Sequence, residues 1–242
     1  MIGGEAERIR EEYARRERHV PPDRYSLASA PNLFARQQKN RALLSILSTE
    51  GLLPLAGKKV LDLGCGDGQQ LLEFQTWGSR PADLAGIDLI DTRIERARER
   101  LGASAGGDRG PDLRTGDASA LPWPDGVFDM ACQNTVFTSI LDDGMKKAVA
   151  GEMLRVLKPG GALIWYDFLF NNPANPNVKG IAAREIRSLF PGCSVRLRRI
   201  TLAPPIARRL VPITWIGSLM LEKLVIFNTH YLAMIRKPAG AQ

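Results

Sequence analysis

The stretch "VLDLGCGDG", residues 60–68, constrains the fold of this chain more than any other. A short apolar run passes directly into glycines at Gly64, Gly66 and Gly68, the pattern of a buried strand that turns sharply and enters a helix. Glycines at such a turn let backbone N–H groups approach a ligand that side chains would hold off. The dinucleotide fingerprint G-x-G-x-x-G is not met, because the third glycine comes one position early. The Gly-Lys-Ser/Thr ending of a phosphate loop is also missing. Asp62, two residues before the first glycine, suits a cationic group such as an ammonium better than a pyrophosphate.

From Lys58 onward, short β-rich runs alternate with amphipathic stretches, which is the sequence form of a βαβ sheet. Strands are expected at "KKVLDLG", "LAGIDL", "DLRTGD", "GVFDMACQ", "GALIWYDFLF", "CSVRLRRITLA" and "THYLAMIRK". A helix starting near Asp142 or Asp143 is marked by Met145, Val149, Met153, Leu154 and Leu157 on one apolar face. Residues 1–50 read as a helical cap or lid, and residues 51–238 as the main domain. With 242 residues and 44% hydrophobic content, the chain supports one well-packed unit. Cys65, Cys132 and Cys193 are odd in number and widely spaced, so neither a disulfide framework nor a cysteine-rich zinc site is expected. The N-terminal segment is charged where a secretion signal is apolar, and no run of 18 apolar residues occurs; a cytoplasmic location is expected.

The glycine stretch resembles the first motif of the class I S-adenosylmethionine-dependent methyltransferases, of the UbiE-like small-molecule branch. The resemblance continues in order through "GIDL" at 86–89, "GDASALPWPDGVFD" at 116–129 and "MLRVLKPGGALI" at 153–164, and covers about half the chain. It implies an α/β, Rossmann-like, seven-stranded, mostly parallel sheet with an antiparallel last strand and helices on both faces. It also implies S-adenosyl-L-methionine as cofactor and S-adenosyl-L-homocysteine as product. The cofactor contacts carried over are Asp62, Gly64, Cys65, Gly66, Gly68, Asp88, Leu89, Arg93, Asp117, Ala118 and Gln133. Asp88 would take both ribose hydroxyls, since a carboxylate accepts two hydrogen bonds at once. Asp117 would accept from the adenine amine, and Ala118 would contribute its backbone N–H. Cys65 reads as a small packed residue rather than a nucleophile.

Methyl transfer of this kind depends on alignment of acceptor, methyl carbon and sulfur. Asn134 and Phe137 are expected to face the acceptor. "NTVF" keeps the ends of the [Asp/Asn]-Pro-Pro-[Tyr/Phe] motif of amine-directed relatives but lacks both prolines, which points away from amines. Gln133 and Asn134 are neutral where a metal-dependent branch needs acids, so no metal is expected. For a general base the sequence offers Asp167 and His230, each with a structural alternative: a carboxylate capping the next turn, or a satisfied histidine on a strand. Tyr25, Phe34 and Arg36 are lid candidates for the acceptor side, or else ordinary packing of a short helix.

A net charge of +7 and eight basic residues between 179 and 209, against the single acid Glu185, could meet an anion. The apolar stretch with Trp215, Leu219, Leu221, Leu224 and Val225 reads as a helix packed on the sheet, a cover for a greasy acceptor, or a peripheral membrane contact. The expected activity is methylation of a small-molecule, glycan or lipid-linked acceptor, at oxygen. An RNA or protein methyltransferase and a non-catalytic cofactor-binding scaffold stand as alternatives. The 7% aromatic content gives few stacking platforms for nucleic acid.

Overall fold

The computed structural model describes residues 2–102, 110–172 and 175–240. Seven strands form one sheet in the order β3-β2-β1-β4-β5-β7-β6. Strands β1 (Val60–Leu63), β2 (Leu84–Asp88), β3 (Asp112–Thr115), β4 (Phe128–Asn134) and β5 (Leu157–Phe168) pair in parallel. Strand β7 (Asn228–Arg236) runs antiparallel between β5 and the edge strand β6 (Ser194–Leu202).

Every residue of β1 and β2 is buried, because crossover helices cover both faces of a parallel sheet and leave no solvated side for polar alternation. Strand alternation divides the core. Leu61, Leu63 and Ile87 pack on one face with α1 (Ile2–His19), α5 (Asp143–Val156) and α6 (Ala183–Leu189). Val60, Leu84 and Met130 pack on the other with α2 (Ala30–Thr49), α3 (Gln69–Thr76) and α4 (Asp91–Leu101). Asp142 caps α5 as its spacing predicts, its Oδ1 accepting the Met145 N–H at 2.6 Å. Edge strand β6 alternates inward residues with arginines, and Arg196 reaches Glu50 at 2.7 Å; charges of this kind discourage edge-to-edge pairing.

The apolar run after residue 206 is not one helix. It is divided into α7 (Pro204–Leu210) and α8 (Trp215–Lys223), with Pro212 between them and Thr214 capping α8 through the Gly217 N–H at 3.0 Å. These two helices pack on α2 through Phe34, Val211 and Trp215. Strand β5 begins four residues before the expected "GALI", taking in Leu157–Gly160.

Gly86 in β2 carries the closeness of α3 and the glycine turn to the sheet. A Cβ there would lie 2.8 Å from Cys65 Sγ and 3.0 Å from Leu71 Cδ1 and Leu113 Cδ2. Gly86→Ala is expected to destabilise by about 1–3 kcal/mol through overpacking, read as a lower urea midpoint at unchanged slope. An unchanged midpoint would contradict this packing.

Candidate cofactor and acceptor site

The carboxyl ends of β1, β2 and β4 open at one edge of the sheet, where ligands of open α/β sheets are usually reached. Gly64, Gly66 and Gly68 all have positive φ, at 65°, 52° and 76°, and Gly68 starts α3. Any side chain at Gly64 would run into Val136. The turn is tied to β2: the Cys65 N–H meets Ile87 O at 3.0 Å, and the Gly66 N–H meets Asp88 Oδ2 at 2.9 Å. Asp88 Oδ1 accepts the Ile90 N–H at 3.0 Å, which sets the start of α4.

A cavity of about 130 Å³ lies against this turn. Of the residues expected at the cofactor, Gly64, Asp88, Leu89, Arg93, Asp117 and Ala118 line it. Asn134, expected on the acceptor side, lines it too. Burial raises the Asp88 pKa, and the nearby Arg93 together with the Ile90 and Gly66 N–H groups opposes that. Two of roughly four acceptor positions on the Asp88 carboxylate are used by those N–H groups, leaving two open. Asp117 Oδ1 accepts the Ser119 N–H at 2.8 Å.

Asp62, Cys65, Gly66, Gly68 and Gln133 do not line the cavity. Alternation along β1 turns Asp62 toward the α2 face, where Cys132 Sγ donates to its Oδ1 at 3.2 Å. Burial pushes the Asp62 carboxyl up to about 7, while the Cys132 hydrogen bond and Lys39 pull the other way. Cys65 is buried and its thiol is pushed upward by burial, as suits a packed residue. Gln133 is fully buried: its Oε1 accepts the Val136 N–H at 3.0 Å, and its Nε2 has no protein partner.

The expected lid is corrected. Tyr25 is 73% exposed, Phe34 is fully buried against Trp215 at 5.1 Å between ring centroids, and Arg36 is paired with Glu73. The turn before α2 faces outward and α2 packs on α7 and α8, so none of the three reaches the cavity. Phe137 is likewise fully buried, 4.4 Å from the Trp165 ring. Ile9 and Tyr13 of α1 cover the cavity instead. The Arg93 guanidinium sits 4.2 Å from the Tyr13 ring centroid, and its buried Nε has no protein partner. Polar contacts hold α1 down: Arg8 Nη2 donates to Ser139 O at 2.6 Å, and Glu5 accepts the Leu141 N–H. Spacing of Ala6, Ile9 and Tyr13 along one side of an otherwise charged helix is the sequence signal for this roof.

The two expected bases are also corrected. Asp167 is fully buried, accepting the Thr138 hydroxyl at 2.7 Å, the Thr138 N–H at 3.2 Å and the Phe168 N–H at 2.9 Å. It fastens the loop after β4, and burial pushes it up to about 7. His230 stacks on Tyr166 at 4.6 Å and 7° between planes, and burial with the nearby Lys39 pushes it down to about 3. Neither side chain lines the cavity.

Lys39 of α2 was not visible in the sequence, lying in the polar run "ARQQKNRA". Its ammonium meets Gln70 Oε1 at 2.8 Å and Asn134 Oδ1 at 3.3 Å, both neutral acceptors. Burial lowers its pKa, while Glu73 and Asp62 raise it. Lys39 and Asn134 thus join α2 to the cavity wall.

The residues present fit an adenosyl group. Asp88 has acceptor capacity left for a pair of hydroxyls, Gly64 gives close backbone approach, and the cavity-lining Arg93 has a buried Nε donor without a protein partner.

A carboxyl whose folded pKa lies above its unfolded value binds its proton more tightly in the native state, so it opposes folding as pH rises from about 4 through 7 and fully above that. Asp62→Asn is therefore expected to gain stability relative to wild type as pH goes from 5 to 8 in urea titrations. A difference that does not grow with pH would contradict the burial of this carboxylate.

Residues 60–161 match the family model described as a methyltransferase domain. The chain is 33% identical over 138 residues to the 27-O-demethylrifamycin SV methyltransferase of Amycolatopsis mediterranei, covering 56% of this chain and 48% of that one. It is 35% identical over 125 residues to the ubiquinone/menaquinone biosynthesis C-methyltransferase UbiE of Roseobacter denitrificans, covering 51% and 48%. The chain spans about half the length of these curated relatives. In fold it is similar to a putative sarcosine dimethylglycine methyltransferase from Galdieria sulphuraria, with a TM-score of 0.63, 18% identity, and 84% and 86% of the two chains covered. From the glycine turn into the fifth strand the chain is thus similar in sequence to methyltransferase domains, and its sheet runs β3-β2-β1-β4-β5-β7-β6 with β7 antiparallel.

Proposed function

We propose that this protein transfers a methyl group from S-adenosylmethionine to a small-molecule, glycan or lipid-linked acceptor, at oxygen. The observation that carries the reading is the convergence of Gly64, Asp88 and Asp117 on one cavity roofed by α1. The names of the two curated relatives support a small acceptor, one naming an oxygen position and the other carbon. When bound, the cofactor supplies a methyl group on a sulfonium. Asp88 holds the ribose hydroxyls, Asp117 accepts from the adenine amine, and Ala118 offers its backbone N–H. Ile9 and Tyr13 exclude water from above, while Asn134, braced by Lys39, faces the acceptor. With Asp167 and His230 engaged elsewhere, this chain contributes alignment rather than a dedicated base. Such a site suits a hydroxyl acidic enough to lose its proton readily, as phenols and enols are.

Asp88→Ala is expected to weaken S-adenosylhomocysteine binding by about 1.5–3 kcal/mol in calorimetry, the size of lost charge-assisted hydrogen bonds. Wild-type protein given S-adenosylmethionine and a panel of phenolic, enolic and lipid-linked hydroxyl compounds is expected to release S-adenosylhomocysteine with at least one of them. Unchanged affinity in the variant would contradict the role of Asp88, and methylation confined to amines would contradict the choice of oxygen.

A further inference from the structure

We infer that the face formed by α8 and the turn after it docks on an anionic lipid surface. Ile213, Ile216, Met220, Leu224, Val225 and Ile226 are each between 50% and 81% exposed, within fourteen consecutive residues. They are not the packing face of the helix. That role belongs to Trp215, set edge-on against Phe34 at 5.1 Å, and to the fully buried Ser218. The helix is therefore already seated, and a second apolar face points outward. At nine residues α8 is far too short to cross a bilayer, so its outward side chains suit insertion at the interface.

The charges around this face have one sign. Arg208 and Arg209 end α7 and Lys223 ends α8; all three are exposed, and none has an ion-pair partner among the described residues. Between residues 186 and 240 the only acid is Glu222, and its Oε1 is turned inward to the Thr201 N–H at 3.2 Å. An apolar face rimmed by cations complements anionic headgroups, whereas a second copy on the same face would bring like charges together. The face and the cavity are joined through one element: Phe34, under α8, and Lys39, against Asn134, belong to the same helix α2. This adds to the proposed function a surface from which a greasy acceptor arrives. The docking is measured without cofactor or turnover, so either reading can fail alone.

The test is co-sedimentation of the full chain with vesicles of phosphatidylcholine containing phosphatidylglycerol, and with pure phosphatidylcholine. Wild type is expected to sediment with the mixed vesicles, less so with the pure ones and less at high salt. Ile216→Ser with Ile226→Ser, and separately Arg208→Gln with Arg209→Gln, are each expected to lower partitioning about tenfold or more. Wild-type thermal melts and S-adenosylhomocysteine titrations certify that each variant is folded. Absence of sedimentation would overturn the proposal, as would undiminished binding by the isoleucine pair, which would leave net charge alone as the cause. A wild-type dimer that the isoleucine variant returns to monomer would assign the face to a second copy instead, also overturning it.

Discussion

One carboxylate joins the two loops on which the site is built. Asp88 accepts from Gly66 in the turn after β1 and from Ile90 at the start of α4, so two crossover connections share a single anchor. Burying that group raises its pKa, and the two N–H groups with Arg93 offset the penalty. Hydrogen bonds to a charged partner contribute about 1.5–3 kcal/mol, enough to keep an almost buried acid at this place. The cavity inherits its shape from this arrangement: the turn supplies the floor, Asp88 the wall, and the positive φ of Gly64 brings the backbone close beneath Val136.

Roof and wall are made differently. Helix α1 buries only a few apolar side chains, Ala6 and Ile9 among them, and is held mainly by Glu5, Arg8 and Tyr13 against the segment from Ser139 to Asp142. An element with little apolar burial and many polar ties belongs to the low-stability end of a fold, which is where lids over binding sites are drawn from. Helix α2 is fixed by Phe34, Leu43 and Leu47, and places Lys39 against Asn134. The roof is thus tied down by polar contacts and the wall by apolar packing.

How much of this was legible in the sequence follows from where each signal resides. The strands, the glycine turn and the acids Asp88 and Asp117 are local patterns, and their order along the chain implied the sheet. The helical cap was legible, but which part of it covers the cavity was not decided, because Tyr25, Phe34 and Arg36 are as suitable in composition as Ile9 and Tyr13. Only the packing of α2 on α7 and α8 decides between them. Asp167 and His230 looked like free bases in one dimension; Thr138 and Tyr166, brought in by the fold, engage them. Lys39 gave no signal, since its partners Gln70 and Asn134 lie 31 and 95 residues away.

A crystal structure of the chain grown with S-adenosylhomocysteine tests the central claim most directly. The account predicts the ribose on Asp88, the adenine beside Asp117 and Ala118, and Tyr13 closed above them. Ligand lodged elsewhere, or bound with the Asp88 carboxylate left unengaged by it, would contradict it.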